Sequence, residues 1–200
     1  MKILVLLSAL VLWCNILLAQ DDAASLHKKI SDQLTSAQTV KVEAIVSVPM
    51  PAKVTITAKR TNKFILQLPD RTIYCNGKEV WNYATKSKSV TLSAFNPKSS
   101  SLSVEKLLLD IISRYSPKSL TNSGTSYQLL LEPIGPPIFG VKSINLTINK
   151  KSLAISTLSI VGDQGKQTWK IQSMQLNVAV SDNTFAYKPI KGVELIDMRE

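Results

Sequence analysis

From Val40 the chain alternates with period two: Val40, Val42, Ala44, Val46 and Val48 interleave with Lys41, Glu43, Ile45 and Ser47. Successive side chains of an extended strand point to opposite faces, so the pattern is that of a strand with one face buried. It recurs after the turn at Pro49-Met50-Pro51, where Val54, Ile56 and Ala58 alternate with Lys53, Thr55, Thr57 and Lys59. Phe64, Leu66 and Leu68 then repeat it. Three sequential strands of this kind predict an antiparallel sheet with an apolar face.

The next stretch, YCNGKEVWNY from Tyr74 to Tyr83, carries Asn76-Gly77, the pair favoured in a type I′ turn because both central positions need positive φ. Strands at Thr72 to Cys75 and Lys78 to Tyr83 are expected around it, with another at Ser89 to Leu92. Further strands are read at Tyr127 to Leu131, around Ile144, Leu146 and Ile148, and at Leu153 to Val161. Lys166 to Val180 makes a long one, with Trp169, Ile171 and Ser173 on one face. The tail, Thr184 to Arg199, holds Phe185 and Tyr187 on one face and Val193 and Ile196 later.

Two segments read as helices. Leu26, Ile30 and Leu34 are spaced by four between Asp22 and Leu34, with Asp21 and Asp22 at the end where a helix dipole favours negative charge. In VEKLLLDII, Val104 to Ile112, the residues Leu107, Leu108, Leu109, Ile111 and Ile112 cover more than one helical face. That segment is either a core helix or a lid over an apolar cavity. A polar loop at Asn96-Pro97-Lys98 through Ser101 precedes it. EPIGPPIFG, Glu132 to Gly140, is a rigid apolar loop poor in backbone donors because of Pro133, Pro136 and Pro137. About ten strands with two helices that do not alternate with them argue against a parallel α/β sheet. The expected fold class is α+β, mainly β: a strongly curved antiparallel sheet or incomplete β-barrel whose concave apolar face is closed by helices.

The amino terminus stands apart. Met1-Lys2, the apolar run Ile3 to Leu18 and the ending Leu17-Leu18-Ala19 before Gln20-Asp21-Asp22 predict a secretory signal peptide, residues 1–19, followed by a single domain, 20–200. The run is short for a membrane span of about 20 apolar residues. A lipoprotein signal would use Cys14, but Trp13 stands where a small residue is expected. After cleavage Cys75 is the one cysteine left, so no intramolecular disulfide can form and the fold must rest on its apolar core.

The 24 basic and 14 acidic residues give +10, and loss of Lys2 with the leader leaves +9. That charge suits acidic surfaces such as lipid headgroups. Nucleic acid fits less well, because Lys53, Lys59, Lys63, Lys78, Lys86 and Lys88 are scattered through turns and strand faces without an aromatic platform beside them.

Catalytic chemistry finds little to work with. His27 is the only histidine, on the first helix, where an exposed surface role is expected, so a Ser or Cys nucleophile has no obvious base. Cys75 has Tyr74, Asn76 and Gly77 as neighbours and reads as a buried, inert thiol. One histidine and one mature cysteine cannot build a zinc site, and Asp163 lacks EF-hand spacing. No local motif suggests a glycosidase carboxylate pair. Asn145-Leu146-Thr147 matches a glycosylation acceptor, but its alternating neighbours place it inside a strand. The chain reads as a non-enzyme that needs no cofactor and no metal.

Several segments in order resemble one family, the periplasmic outer-membrane lipoprotein carrier proteins, called LolA-like. They are AASLHKKISDQLTSAQTVKVEAIV, AKRTNKF at Ala58 to Phe64, YCNGKEVWNY with the following SVTLSAF, and the terminal FAYKPIKGVELIDMR. The family's xGKxLWxY hairpin is present as NGKEVWNY, with Val80 in place of leucine, and its terminal Pro then Gly-Val as PIKGVELIDMR.

The resemblance implies an incomplete barrel closed by helices. It also implies a periplasmic chaperone that binds the acyl chains of lipoproteins released from the inner membrane and carries them to the outer membrane. The implied partners are acylated lipoproteins, an inner-membrane lipoprotein-releasing ABC transporter and, where one exists, an outer-membrane receptor. The protein would act as a monomer in the periplasm of a Gram-negative bacterium. The alternative is a lipid- or lipoprotein-sensing envelope-stress regulatory domain of similar fold; an exported hydrolase is the third reading.

In the family an arginine in a KRPN-like segment hydrogen-bonds the lid helices and holds the empty carrier closed. The matching segment is Lys59-Arg60-Thr61-Asn62, with Thr61 where proline is usual, which frees the local backbone. The plain alternative for Arg60 is a solvated strand-end cation. The candidate acyl cavity and lid are Arg60, Val46, Ile56, Phe64, Leu66, Trp81, Tyr83, Leu107, Leu108, Ile111, Ile112, Ile134 and Phe139, with Trp81 and Tyr83 also open to an ordinary sheet-core reading.

Overall fold

A computed structural model describes residues 22–47, 50–96, 104–137, 140–163 and 165–199. The expected signal peptide with Cys14, Val48, the loop from Pro97 to Ser101, and Phe139 lie outside the described residues. Helix α1 covers residues 22–36. Six strands follow: β1 (Thr39–Val46), β2 (Ala52–Lys59), β3 (Lys63–Gln67), β4 (Arg71–Asn76), β5 (Glu79–Ala84) and β6 (Ser89–Ala94). After helix α2 (Val104–Leu109) come β7 (Tyr115–Ser123), β8 (Ser126–Pro133), β9 (Val141–Asn149), β10 (Ile155–Gly162), β11 (Gly165–Leu176) and β12 (Glu194–Asp197). The class is the expected one, mainly β and antiparallel, and β12 is an edge strand, so the sheet does not close.

The chain divides into two compact units. The first runs to Gln33 and resumes from Ile112 to Lys166. Its strands lie in the order β10-β9-β8-β7. Leu129, Leu131, Ile144, Leu146 and Ile148 are fully buried here, as the alternation over β8 and β9 requires. Tyr115 is buried with them and satisfies its hydroxyl by donating to the Val141 carbonyl at 2.9 Å.

Strand β7 has no counterpart in the sequence reading. Its residues, YSPKSLTNS, are mostly polar and exposed because it is an edge strand, where Pro117 removes no needed donor. Strand β8 runs two residues into the expected loop, with Glu132 opposite Ser116 and Pro133 opposite Tyr115.

The second unit comprises Leu34–Ile111 and the chain from Gln167 on. Its order is β12-β6-β5-β4-β3-β2-β1-β11, with β12 parallel to β6 and the other pairs antiparallel. Directly opposed residues share a face, so the register sorts the side chains. One face carries Val42, Ile56, Leu66 and Ile73 in one row and Ala58, Phe64, Cys75 and Val80 in another. All of these but Ile56 belong, with Ala37, Val40, Ala44 and Leu109, to one apolar cluster, so α2 packs on this face. The other face carries Tyr74, Trp81 and Leu92 in one row and Tyr83 with Val90 in the next, covered by Ala186, Tyr187 and Val193 of the carboxyl-terminal segment. Both faces are therefore packed, which explains why β4 and β5 are apolar on both sides.

Three expectations change. A bulge opposite Glu43 and Ala44 leaves Gln172 unpaired, so Ser173 joins Glu43 on the face away from Trp169 and Ile171. The long strand stops at Leu176 rather than Val180. The 76–77 turn is not type I′: Gly77 has φ +90° but Asn76 does not enter the positive region. Instead the Asn76 side-chain oxygen accepts from the backbone N–H groups of Lys78 and Glu79 at 2.9 and 2.8 Å, a side-chain-closed turn.

Candidate functional site

The site grows from the β2–β3 connection. Thr61 and Asn62 both take positive φ, +74° and +63°, the sense of turn that follows the right-handed twist of paired strands. Proline at position 61 would be locked near −65°, so this loop cannot have the KRPN form. Two features of the next hairpin hold the loop. The Cys75 thiol donates to the Asn62 carbonyl at 3.1 Å. A Cβ on Gly77 would come within 2.7 Å of the Thr61 carbonyl oxygen, so the backbones meet where no side chain fits. Gly77→Ala is accordingly expected to lower stability by about 2 kcal/mol or more, from positive φ and the clash together, measurable by urea unfolding. A change within about 0.3 kcal/mol would show that the loop is not braced there.

So held, Arg60 reaches two segments at once. Its backbone N–H donates to Gln38 O at 2.9 Å, its Nε to Ala37 O at 3.1 Å and its Nη2 to Thr35 O at 2.7 Å. These carbonyls lie at the carboxyl end of α1, where the last turn has no helical donors and a cation is favoured. Nη1 meets both Asp110 oxygens at 2.7 and 2.9 Å and Glu105 Oε1 at 3.1 Å, while Asn62 N–H donates to Glu105 Oε2 at 3.2 Å. Burial pulls the guanidinium pKa down, but hydrogen bonding and charge from Asp110 and then Glu105 more than offset it, leaving it above the usual arginine value. Arg60 is thus a half-buried tie between the end of α1 and α2, not a solvated strand-end cation.

The apolar candidates divide by face. Val46, Ile56, Phe64 and Leu66 lie on the face under α2, with Val46 opposite Ala52 and Trp169. Leu107 and Leu108 are half-buried on α2 and Ile111 is buried just beyond it. Trp81 and Tyr83 lie on the opposite face, where Tyr187 stacks edge-on to Tyr74 at 5.9 Å and tilted to Tyr83 at 6.0 Å. Helix α2 ends at Leu109, before Ile112, which sits in a 3-10 turn of the first unit. Ile134, also in the first unit, is exposed.

Glu105 and Asp110, the residues Arg60 binds, are absent from the sequence candidates. They are the only carboxylates in VEKLLLDII, and a charge inside so apolar a run was the available signal.

Cys75 and His27, the two side chains weighed for catalysis, both sit in structural roles. Burial pushes the Cys75 thiol pKa up, with a weaker opposing pull from the Gly77 backbone, so the thiolate is suppressed. His27 is half-buried rather than exposed, and its Nε2–H donates to the Ile112 carbonyl at 3.0 Å, a structural bond within the first unit. Among the described residues no group of three His, Cys, Asp or Glu could hold a metal ion, and no helix is long and apolar enough to cross a membrane.

The sequence profile described as outer membrane lipoprotein carrier protein LolA matches residues 52–188. Among solved structures, the chain is similar to an uncharacterized conserved protein from Thermus thermophilus, at 11% identity over 85% of this chain and 98% of that one, with a TM-score of 0.54. It is also similar to a LolA superfamily protein from Nitrosomonas europaea, at 10% identity, 82% and 97% coverage and a TM-score of 0.42. LprF from Mycobacterium bovis gives 10%, 80% and 95%, and 0.48. No curated protein matches the sequence.

Proposed function

The chain belongs to the outer membrane lipoprotein carrier protein family, and on that premise we propose that it takes up the acyl chains of lipoproteins released from the inner membrane and carries them across the periplasm to the outer membrane. The observation that carries the reading is Arg60, which ties α2 and the end of α1 together beside an apolar sheet face. Each acyl CH2 removed from water is worth about 0.8 kcal/mol, so a carrier with a permanently open apolar face would hold its cargo too tightly to release it. A helix that packs on the same face competes with the chain. Closure then offsets part of the binding energy, and the cargo can be passed on.

In this reading an inner-membrane transporter delivers the acylated protein, an outer-membrane receptor or the membrane itself accepts it, and the carrier works as a monomer without catalysis. The test uses the mature protein, a diacylated lipopeptide and an environment-sensitive apolar dye. Lipopeptide should displace dye stoichiometrically, and protein purified from periplasm should carry lipoprotein detectable by mass analysis. A mature protein that binds neither dye nor lipopeptide, with Arg60→Leu making no difference, would end the proposal.

A further inference from the structure

The acyl-binding reading uses one face of the second unit's sheet; the other face divides in two. Its β3 to β6 side is packed under the carboxyl-terminal segment through Phe185, Tyr187 and Val193. On β2, β1 and β11 the register places Lys53, Ile45 and Lys170 in one row. Thr55, Glu43 and Ser173 form the next, and Thr57, Lys41 and Gln175 the third. None of these nine residues is buried.

Lys59 and Lys63, opposed at the end of β2 and β3, extend the same face. Against these five lysines stand two carboxylates. Lys41 lies 3.4 Å from Glu43, and Lys59 and Lys63 both lie 2.6 Å from Asp182. Hydrogen bonds from those two lysines hold the Asp182 pKa down at about 2, so it stays ionised at any physiological pH. The face keeps a surplus of three positive charges. Among the described residues Lys53 and Lys170, both exposed, have no carboxylate within ion-pair distance.

We propose that this lysine face docks the protein on an anionic phospholipid surface. A specific protein partner would be anchored by aromatic or large apolar residues in a pocket, whereas this face offers lysines, threonines and one half-buried isoleucine. A headgroup layer needs no pocket. It takes up mobile cations at about 1 kcal/mol each, within a Debye length of about 8 Å at physiological ionic strength. Such adsorption is weak and reversible, and it leaves the α2-covered face unobstructed. The inference stands apart from the acyl-binding reading and needs no lipoprotein.

The test is co-sedimentation of the full mature chain with vesicles of phosphatidylcholine alone or with about 30% phosphatidylglycerol, at about 50 mM and about 500 mM salt. Binding is expected only to the anionic vesicles and only at low salt. Lys53→Gln/Lys170→Gln should weaken it about 30-fold, and Lys53→Glu/Lys170→Glu further. Lys86→Gln/Lys151→Gln, an equal charge change in two exposed turns, should change it less than about threefold. Melting curves are taken for every variant, and the glutamine pair, which introduces no new charge, carries the comparison. Equal loss in the two glutamine pairs, equal binding to both vesicle types, or no sedimentation at low salt would each overturn the proposal. So would loss from the lysine-face variants of binding to an acidic protein while vesicle binding persists.

Discussion

Arg60→Leu is expected to destabilise the second unit by about 3–5 kcal/mol and to raise apolar dye binding by the empty protein. The cost comes chiefly from Glu105, whose side chain is 4% exposed and would be deprived of the guanidinium. The carbonyls of Thr35 and Ala37 also lose their charged donor. The Asp110 share counts for little, because that carboxylate is one-third exposed and water can replace the arginine. The companion change matters as much as the first. Arg60→Leu/Glu105→Leu removes the buried carboxylate together with its half-buried partner and should recover most of the loss, since replacing such a pair by apolar groups is often near neutral.

Arg60→Lys should fall between, because an ammonium cannot serve two carboxylates and two helix-end carbonyls from one fork. Urea unfolding measures all three, with dye fluorescence on the same samples. A single variant within about 0.5 kcal/mol of the parent, or a double variant no better than the single, would mean that Arg60 decorates the interface rather than ties it.

The reach of the sequence can be judged strand by strand. Where one face is buried and the other solvated, as in β1 and β2, period two located the strands and their inward residues together: Val40, Val42, Ala44, Val54, Ile56 and Ala58 are all buried. On β4 and β5 it could not choose a face. Ile73, Cys75 and Val80 occupy one side while Tyr74, Trp81 and Tyr83 occupy the other, and only cross-strand register separates them. Strand β7 was invisible because an exposed edge strand has no apolar alternation to display. The turn at Asn76 looked like type I′ because the residue pair is right for it; the side-chain oxygen closes the turn instead.

For the site, the limit was long-range pairing. Arg60 entered through family resemblance, which names one end of an ion pair. Its partners lie 45 and 50 residues away, and no local spacing encodes such a distance. The departure from the family pattern at Thr61 was legible in the sequence, but the positive φ it permits there was not.

Leu109→Ala separates the two readings of α2, a fixed core helix and a lid. Six residues are too few to hold a helix by backbone hydrogen bonds alone, so α2 stays in place through Arg60 and through Leu109. Leu109 is 1% exposed and packs in the cluster of Val40, Val42, Ala44, Ala58, Phe64 and Cys75. Its truncation should cost about 2–5 kcal/mol. In a fixed core helix the whole loss falls on global unfolding, and the melting temperature drops much as it would for Leu146→Ala, a fully buried strand residue in the first unit. In a lid the loss falls on closure. Dye affinity should then rise at least about 30-fold while the main melting transition moves little, since local opening carries its own free energy. Leu146→Ala should do the reverse. If Leu109→Ala lowers the melting temperature as far as Leu146→Ala and leaves dye binding unchanged, α2 is part of the core, and an acyl chain would have to enter some other way.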